Sequence, residues 1–155
     1  MPCVYWCPPV MSIHAALAVK RTKDLAEGVP HILCGDFNFQ PTSSMYKFVT
    51  TGTLGSDKEA TPVANPWGKY FPKVEVPMRS SYAAVNGCEP NFTNYAKVKQ
   101  EPTFIETLDY IFYSKGIEAE SVVKLPHRDA VEGPLPNGEE PSDHILIGAK
   151  LNIAA

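Results

Sequence analysis

Three aspartates stand where this chain is otherwise most apolar, and they limit what it can fold into. Asp36 follows the run His31-Ile32-Leu33-Cys34 across Gly35, and Asp109 lies inside Ile105–Ser114 among Leu108, Tyr110, Ile111 and Phe112. Asp143, with His144, immediately precedes the last apolar run. An ionised carboxylate in such surroundings costs several kcal/mol unless it is paired, hydrogen-bonded or bound to a cation. The chain therefore needs an architecture that buries these runs while keeping three carboxylates at strand ends or on a polar face. Each aspartate alone has an ordinary reading as an edge position, a turn cap or a structural ion pair. For Asp36 a turn cap is as good a reading as a functional one, and His144 alone reads as a satisfied structural histidine. Together they suit a hard cation and phosphoryl chemistry, because Mg²⁺ takes few carboxylates and keeps several waters. That chemistry also needs a base for water and donors for developing charge. Asn38 lies two residues beyond Asp36, a spacing that turns both side chains the same way in extended backbone.

The periodicities give the elements. Ser12 is the expected cap of a helix to about Glu27, with Ala15, Ala18, Val19, Thr22, Leu25 and Ala26 on one face and Gly28 and Pro30 as its stop. Residues 31–34 read as a buried strand, with Cys34 a buried free thiol. Thr42 or Ser43 opens a second helix to about Thr51, ended by Gly52, and a helical turn is expected near Ser80–Val85. Strands are expected over Phe92–Val98, Ile105–Ser114, Ile117–Leu125 and His144–Ile153, with a strand-like stub at Val4-Tyr5-Trp6. In the second of these, Leu108, Tyr110 and Phe112 face opposite to Asp109, Ile111 and Tyr113. The order predicts an α+β fold, a mixed and mostly antiparallel sheet with helices on one face. Prolines number 15 of 155 and gather at 62–77 and 126–141, predicting two long ordered loops.

Length fits one domain, and 44% apolar residues suffice for a packed core. A net charge of −3 gives no basic surplus that would advertise a duplex-wrapping surface. It leaves nucleic acid open as a substrate, since a metal ion can supply positive charge beside a phosphate. The cysteines at 3, 7, 34 and 88 have no zinc spacing, and a reduced, intracellular and most simply cytoplasmic protein is expected. No stretch approaches a membrane span, and no signal peptide is expected. Asn91-Phe92-Thr93 matches the glycosylation acceptor pattern, which is common by chance.

Cys34-Gly35-Asp36-Phe37-Asn38, Leu108-Asp109-Tyr110-Ile111-Phe112 and Pro141-Ser142-Asp143-His144 resemble the three C-terminal motifs of the exonuclease/endonuclease/phosphatase superfamily, in its order. Tyr5-Trp6, Gln40-Pro41-Thr42-Ser43, Phe92-Thr93-Asn94-Tyr95 and Glu106-Thr107-Leu108-Asp109-Tyr110 are similar to its deadenylase branch, which holds poly(A) nucleases, the nocturnin and angel proteins and the 2′,5′-phosphodiesterase. The likeness runs from about Val4 to Ile153.

The resemblance implies roles. Asp36 positions or deprotonates the attacking water, Asn38 contacts the phosphate, and Asp109 partners His144. Asp143 holds metal or water, and His144, kept cationic by Asp109, steadies the pentavalent phosphorus. Asp36 and Asp143 are the implied Mg²⁺ (or Mn²⁺) ligands, and Phe104 and Asn94 the substrate-binding candidates, Phe104 by base stacking. It also implies that residues 1–155 are the C-terminal portion of one domain, half of a four-layer α/β/β/α sandwich. The absent half carries the principal glutamate ligand and an asparagine near the phosphate, and Cys3 stands where relatives have histidine. A bare inner sheet face then predicts a protein partner or the missing half as its cover. The expected substrate is RNA or oligoadenylate. The alternatives are a catalytically incomplete remnant that binds RNA or protein, and a nucleotide-cofactor phosphatase. An abasic-site endonuclease fits the charge poorly.

Overall fold

The computed structural model describes residues 1–63 and 70–153. The first helix, α1 (Pro8–Ala26), starts four residues before the expected Ser12. Pro8 and Pro9 explain this: proline has no N–H to orphan and its fixed φ suits a first helical turn. Ser12 is instead fully buried inside the helix, its hydroxyl 2.7 Å from the Ala60 carbonyl and 3.1 Å from that of Pro8. The helix ends with Glu27 in the left-handed region, as the following Gly28 and Pro30 suggested. The second helix, α2 (Ser44–Thr51), has the expected ends: Ser43 accepts from the Tyr46 N–H, and Gly52 closes the helix at φ +81°. The turn expected near Ser80 is α3 (Ser81–Asn86).

The fold is α+β with antiparallel strands, as expected, but among the described residues the strands do not join in one mixed sheet. The strands β1 (Ile32–Asp36), β2 (Arg79–Ser80), β3 (Asn94–Ala96), β4 (Phe104–Glu106), β5 (Asp109–Tyr113), β6 (Ile117–Val122) and β7 (Ala149–Ile153) make three small sheets, β1-β5-β2, β3-β4 and β6-β7. Every pairing among them is antiparallel. The expected strand Ile105–Ser114 is two strands, because the chain leaves β4 and enters β5 in a different sheet. The expected Phe92–Val98 and His144–Ile153 strands shorten likewise to Asn94–Ala96 and Ala149–Ile153. Val4-Tyr5-Trp6 is a turn rather than a strand, with Tyr5 and Trp6 exposed and edge-on to each other at 5.2 Å. Of the proline-rich loops, residues 64–69 of the first lie outside the described residues. The second holds only the 3-10 turn Arg128–Ala130.

The facing of β5 follows the sequence pattern. Its register pairs Leu33 with Phe112 and Gly35 with Tyr110, and that side joins α1 and α2 in a core of Met11, Ala15, Ala16, Val19, Phe37, Phe39, Phe48 and Val49. The other side carries Ile32 opposite Tyr113, Cys34 opposite Ile111 and Asp36 opposite Asp109. Ile32 and Cys34 are exposed there, so Cys34 is not the buried thiol its apolar neighbours suggested. A second, smaller cluster of Phe92, Leu135 and Ile145 packs with Tyr95, Ile105, Leu125 and Val131.

Candidate active site

The site begins where β1 ends. Gly35 has φ +139°, a conformation that L side chains rarely adopt, so the position in β1 just before Asp36 needs glycine. Phe37 and Phe39 point inward at 4% and 3% exposure, and the Phe37 N–H bonds to the Leu108 carbonyl at 2.9 Å. Asp36 and Asn38 therefore share the other side, as their spacing predicted. Asn38 adopts φ +54°, which asparagine tolerates better than most residues. Its backbone N–H donates to Asp36 Oδ1 at 2.7 Å. Its amide donates to Asp36 Oδ2 at 2.9 Å and to the Met1 carbonyl at 2.7 Å. In this arrangement both amide protons of Asn38 are engaged within the protein, so a phosphate contact there requires one of these bonds to exchange.

Asp109 stands directly across from Asp36 in the β1–β5 register. Its Oδ2 receives two hydrogen bonds, from His144 Nδ1 at 2.8 Å and from the Thr93 hydroxyl at 2.7 Å. His144 reaches it because residues 143–145 lie alongside β3: Tyr95 N–H donates to the Asp143 carbonyl and Ile145 N–H to the Thr93 carbonyl, each at 2.8 Å. Asn94 is 4% exposed and its amide approaches the Asp143 carbonyl and Oδ2 at 3.2 and 3.3 Å. Its side chain thus holds Asp143 instead of opening toward solvent. Phe104, 40% exposed on β4, pairs with Ala96, two positions along the hairpin from the Asn94–Glu106 pair.

Partial burial of the His144 ring works against its charged form. The Asp109 hydrogen bond and the negative charges of Asp109, Asp36 and Asp143 outweigh it, and the imidazole titrates above the usual histidine value. The structure thus brings together Asp36, Asn38, Asp109, Asp143 and His144. Among the described residues, no three His, Cys, Asp or Glu side chains group closely enough to hold a metal ion. The donors available, Asp36 and Asp143, are hard oxygen ligands of the kind Mg²⁺ prefers. They match that ion in kind and fall short of a cage in number.

Thr93 escaped sequence reasoning as a site residue because its neighbours Asn91 and Phe92 give it the look of a glycosylation acceptor. It is fully buried with its hydroxyl engaged, and Asn91 Oδ1 accepts from Arg128 Nε at 2.9 Å. The available signal was a lone hydroxyl residue between apolar Phe92 and the candidate Asn94.

Comparison with known proteins bears on this geometry. Residues 3–144 match the family model described as Endonuclease/Exonuclease/phosphatase family. The chain is 32% identical to the 2',5'-phosphodiesterase 12 of Mus musculus, across 93% of this chain and 24% of that protein. It is 34% identical to the Carbon catabolite repressor protein 4 homolog 4 of Arabidopsis thaliana, across 97% of this chain and 36% of that protein. The chain thus spans between about a quarter and about a third of these two relatives. In fold it resembles ANGEL2, solved as a 2',3'-cyclic phosphatase in complex with adenosine-2',3'-vanadate, with a TM-score of 0.71 and 20% identity over all of this chain and 55% of that one.

Proposed function

Because this chain belongs to the Endonuclease/Exonuclease/phosphatase family, we propose that it carries the acid–base and phosphate-contacting part of an active site that hydrolyses RNA phosphodiesters. The names 3'-5'-exoribonuclease and 2',5'-phosphodiesterase given to relatives support an RNA 3′ end or a 2′,5′ linkage as the substrate, and the adenosine-rich form of either is the one proposed. The observation that carries this reading is the 2.8 Å bond from His144 Nδ1 to Asp109, directly across the strand pair from Asp36.

Each group has its own part in the reaction. Asp36 orients the attacking water and takes its proton as the oxygen bonds to phosphorus in line with the departing ribose oxygen. His144, kept protonated by Asp109, offers Nε2 to a phosphoryl oxygen as charge builds there. Asn38 adds an uncharged donor, and Phe104 offers its exposed ring to a base. Asp36 and Asp143, with further ligands, would hold Mg²⁺ or Mn²⁺, which would supply positive charge beside the phosphate. The chain spans about a quarter of the mouse 2',5'-phosphodiesterase 12, and the exposed Ile32 and Cys34 face could be covered by a further segment or a protein partner.

The test is turnover of a short 3′-labelled oligoadenylate with Mg²⁺. Asp36→Ala and His144→Ala should each lower kcat/KM by about 10²–10⁴-fold. Turnover that survives both substitutions removes these residues from the mechanism. The short donor set favours a second reading, a remnant that binds RNA or protein without hydrolysing it. Oligoadenylate binding without turnover, even after the first half of a relative is added, supports that second reading.

A further inference from the structure

The Thr93 hydroxyl makes three hydrogen bonds at the centre of the site, and their directions are fixed by counting. A threonine hydroxyl has two lone pairs and one proton. The backbone N–H groups of Leu108 and Asp109 donate to Thr93 Oγ1 at 2.9 and 3.0 Å, which fills both lone pairs. The single proton is left for Asp109 Oδ2, 2.7 Å away. Asp109 Oδ2 therefore faces a hydroxyl that can only donate to it, and His144 Nδ1 approaches the same oxygen. An Oδ2 that carried its own proton would meet the Thr93 proton head-on.

Resting on the reading of the site as a phosphodiesterase centre, we propose that Thr93 is a positioning residue that fixes the Asp109 carboxyl with Oδ2 as an acceptor aimed at His144, so that Nδ1 holds a proton and Nε2 faces the phosphate. A carboxylate torsion is broad and roughly two-fold, so nothing intrinsic to aspartate would select this orientation. Thr93 is itself firmly placed. It is fully buried, its N–H bonds to the Glu106 carbonyl at 3.0 Å, and its carbonyl accepts from Ile145 at 2.8 Å. The residue thus ties β4 and the His144 segment together through its backbone, and holds the start of β5 through its hydroxyl.

The experiment compares Thr93→Val and Thr93→Ser in the full chain, with turnover of 3′-labelled oligoadenylate and ¹⁵N NMR of the His144 ring. Valine keeps the shape and removes the hydroxyl, and serine keeps the hydroxyl. Thr93→Val should lower kcat by about ten- to a hundred-fold with little change in KM, while Thr93→Ser stays close to the parent. In NMR above the ring's titration, the parent and Thr93→Ser should hold the proton on Nδ1, and Thr93→Val should show a tautomer mixture. If valine does not fold, Thr93→Cys, with a weaker donor in the same place, should fall between serine and the loss expected for valine. A folded Thr93→Val with unchanged kcat and an unmixed tautomer overturns the proposal, as does a serine variant as impaired as valine. Parent turnover insensitive to His144→Ala overturns the phosphodiesterase reading instead, and the tautomer comparison then judges Thr93 alone.

Discussion

The two apolar clusters are built on different principles, and the candidate site lies where they meet. The larger one packs α1 and α2 on one side of β1-β5-β2, with Phe37, Phe39, Tyr110 and Phe112 interlocked at ring separations of 5.0–5.9 Å. The smaller one gathers Phe92, Leu135 and Ile145 from short strands and loops. Its shape is held by polar ties, such as Leu135 N–H to the Tyr95 carbonyl at 2.8 Å and Arg128 to Asn91. Asp36, Asn38 and Asp109 hang on the first, and Thr93, Asn94, Asp143 and His144 on the second. Regular elements thus fix the carboxylate pair. The histidine is placed by one strand-like contact and a few side-chain bonds, so it should loosen first.

The largest effect that tests this contrast is in the larger core. Phe112→Ala, at a fully buried ring, should cost about 3–5 kcal/mol in chemical denaturation and lower the stability of the whole chain. Leu135→Ala should cost less, about 2–3 kcal/mol, at the low end for a buried leucine because few neighbours surround it. Hydrogen exchange should then accelerate at 93–95 and 143–145 while the β1–β5 amides keep their protection. Even acceleration across both would erase the distinction between the clusters.

Smaller effects come from charge. Glu89 accepts from the Tyr46 hydroxyl at 2.6 Å and links α2 to the segment leading into Phe92. Burial raises its pKa more than the neighbouring Ser80 and Tyr46 hydroxyls lower it. A raised carboxyl favours the fold below the ordinary glutamate value and withdraws that support as pH rises through the folded value. Glu89→Gln should therefore raise the thermal midpoint at neutral pH and lose that advantage in acid. His144 is also raised, so its contribution is fully present below the ordinary histidine value of about 6.5 and fades as pH climbs through the folded one. The stability gap between the parent and His144→Gln should shrink between mildly acidic and alkaline pH, and an unchanged gap would show that Asp109 does not favour the charged ring. Least of all, Glu120→Ala, which removes the exposed pair with Lys150, should shift stability by no more than about 0.5 kcal/mol.

Much of the first region was legible in the sequence. The alternation of Asp109, Ile111 and Tyr113 with Tyr110 and Phe112, the Ser43 cap, the Gly52 stop and the shared side of Asp36 and Asn38 all follow from local geometry, which a short window contains. The second region was not. Where β4 passes to β5 the chain reads as a single strand across Glu106 and Thr107, and only partner choice shows that two sheets share it. Cys34 reads as buried from its neighbours, yet an edge strand exposes it. Thr93 and Asn94 read as a glycosylation acceptor and a substrate contact, while their partners Asp109 and Asp143 lie 16 and 49 residues away.

By itself the sequence determined most elements of the larger core and the family, and it named the five side chains that the structure brings together as the candidate site. These depend on periodicity, on turn chemistry and on motifs, each written within a few residues. Tertiary structure alone decided that one Asp109 oxygen serves both Thr93 and His144, that Asn94 holds Asp143, and that the Ile32 and Cys34 face stays open. A hydrogen bond depends on which distant segments are pressed together, and no local pattern carries that information.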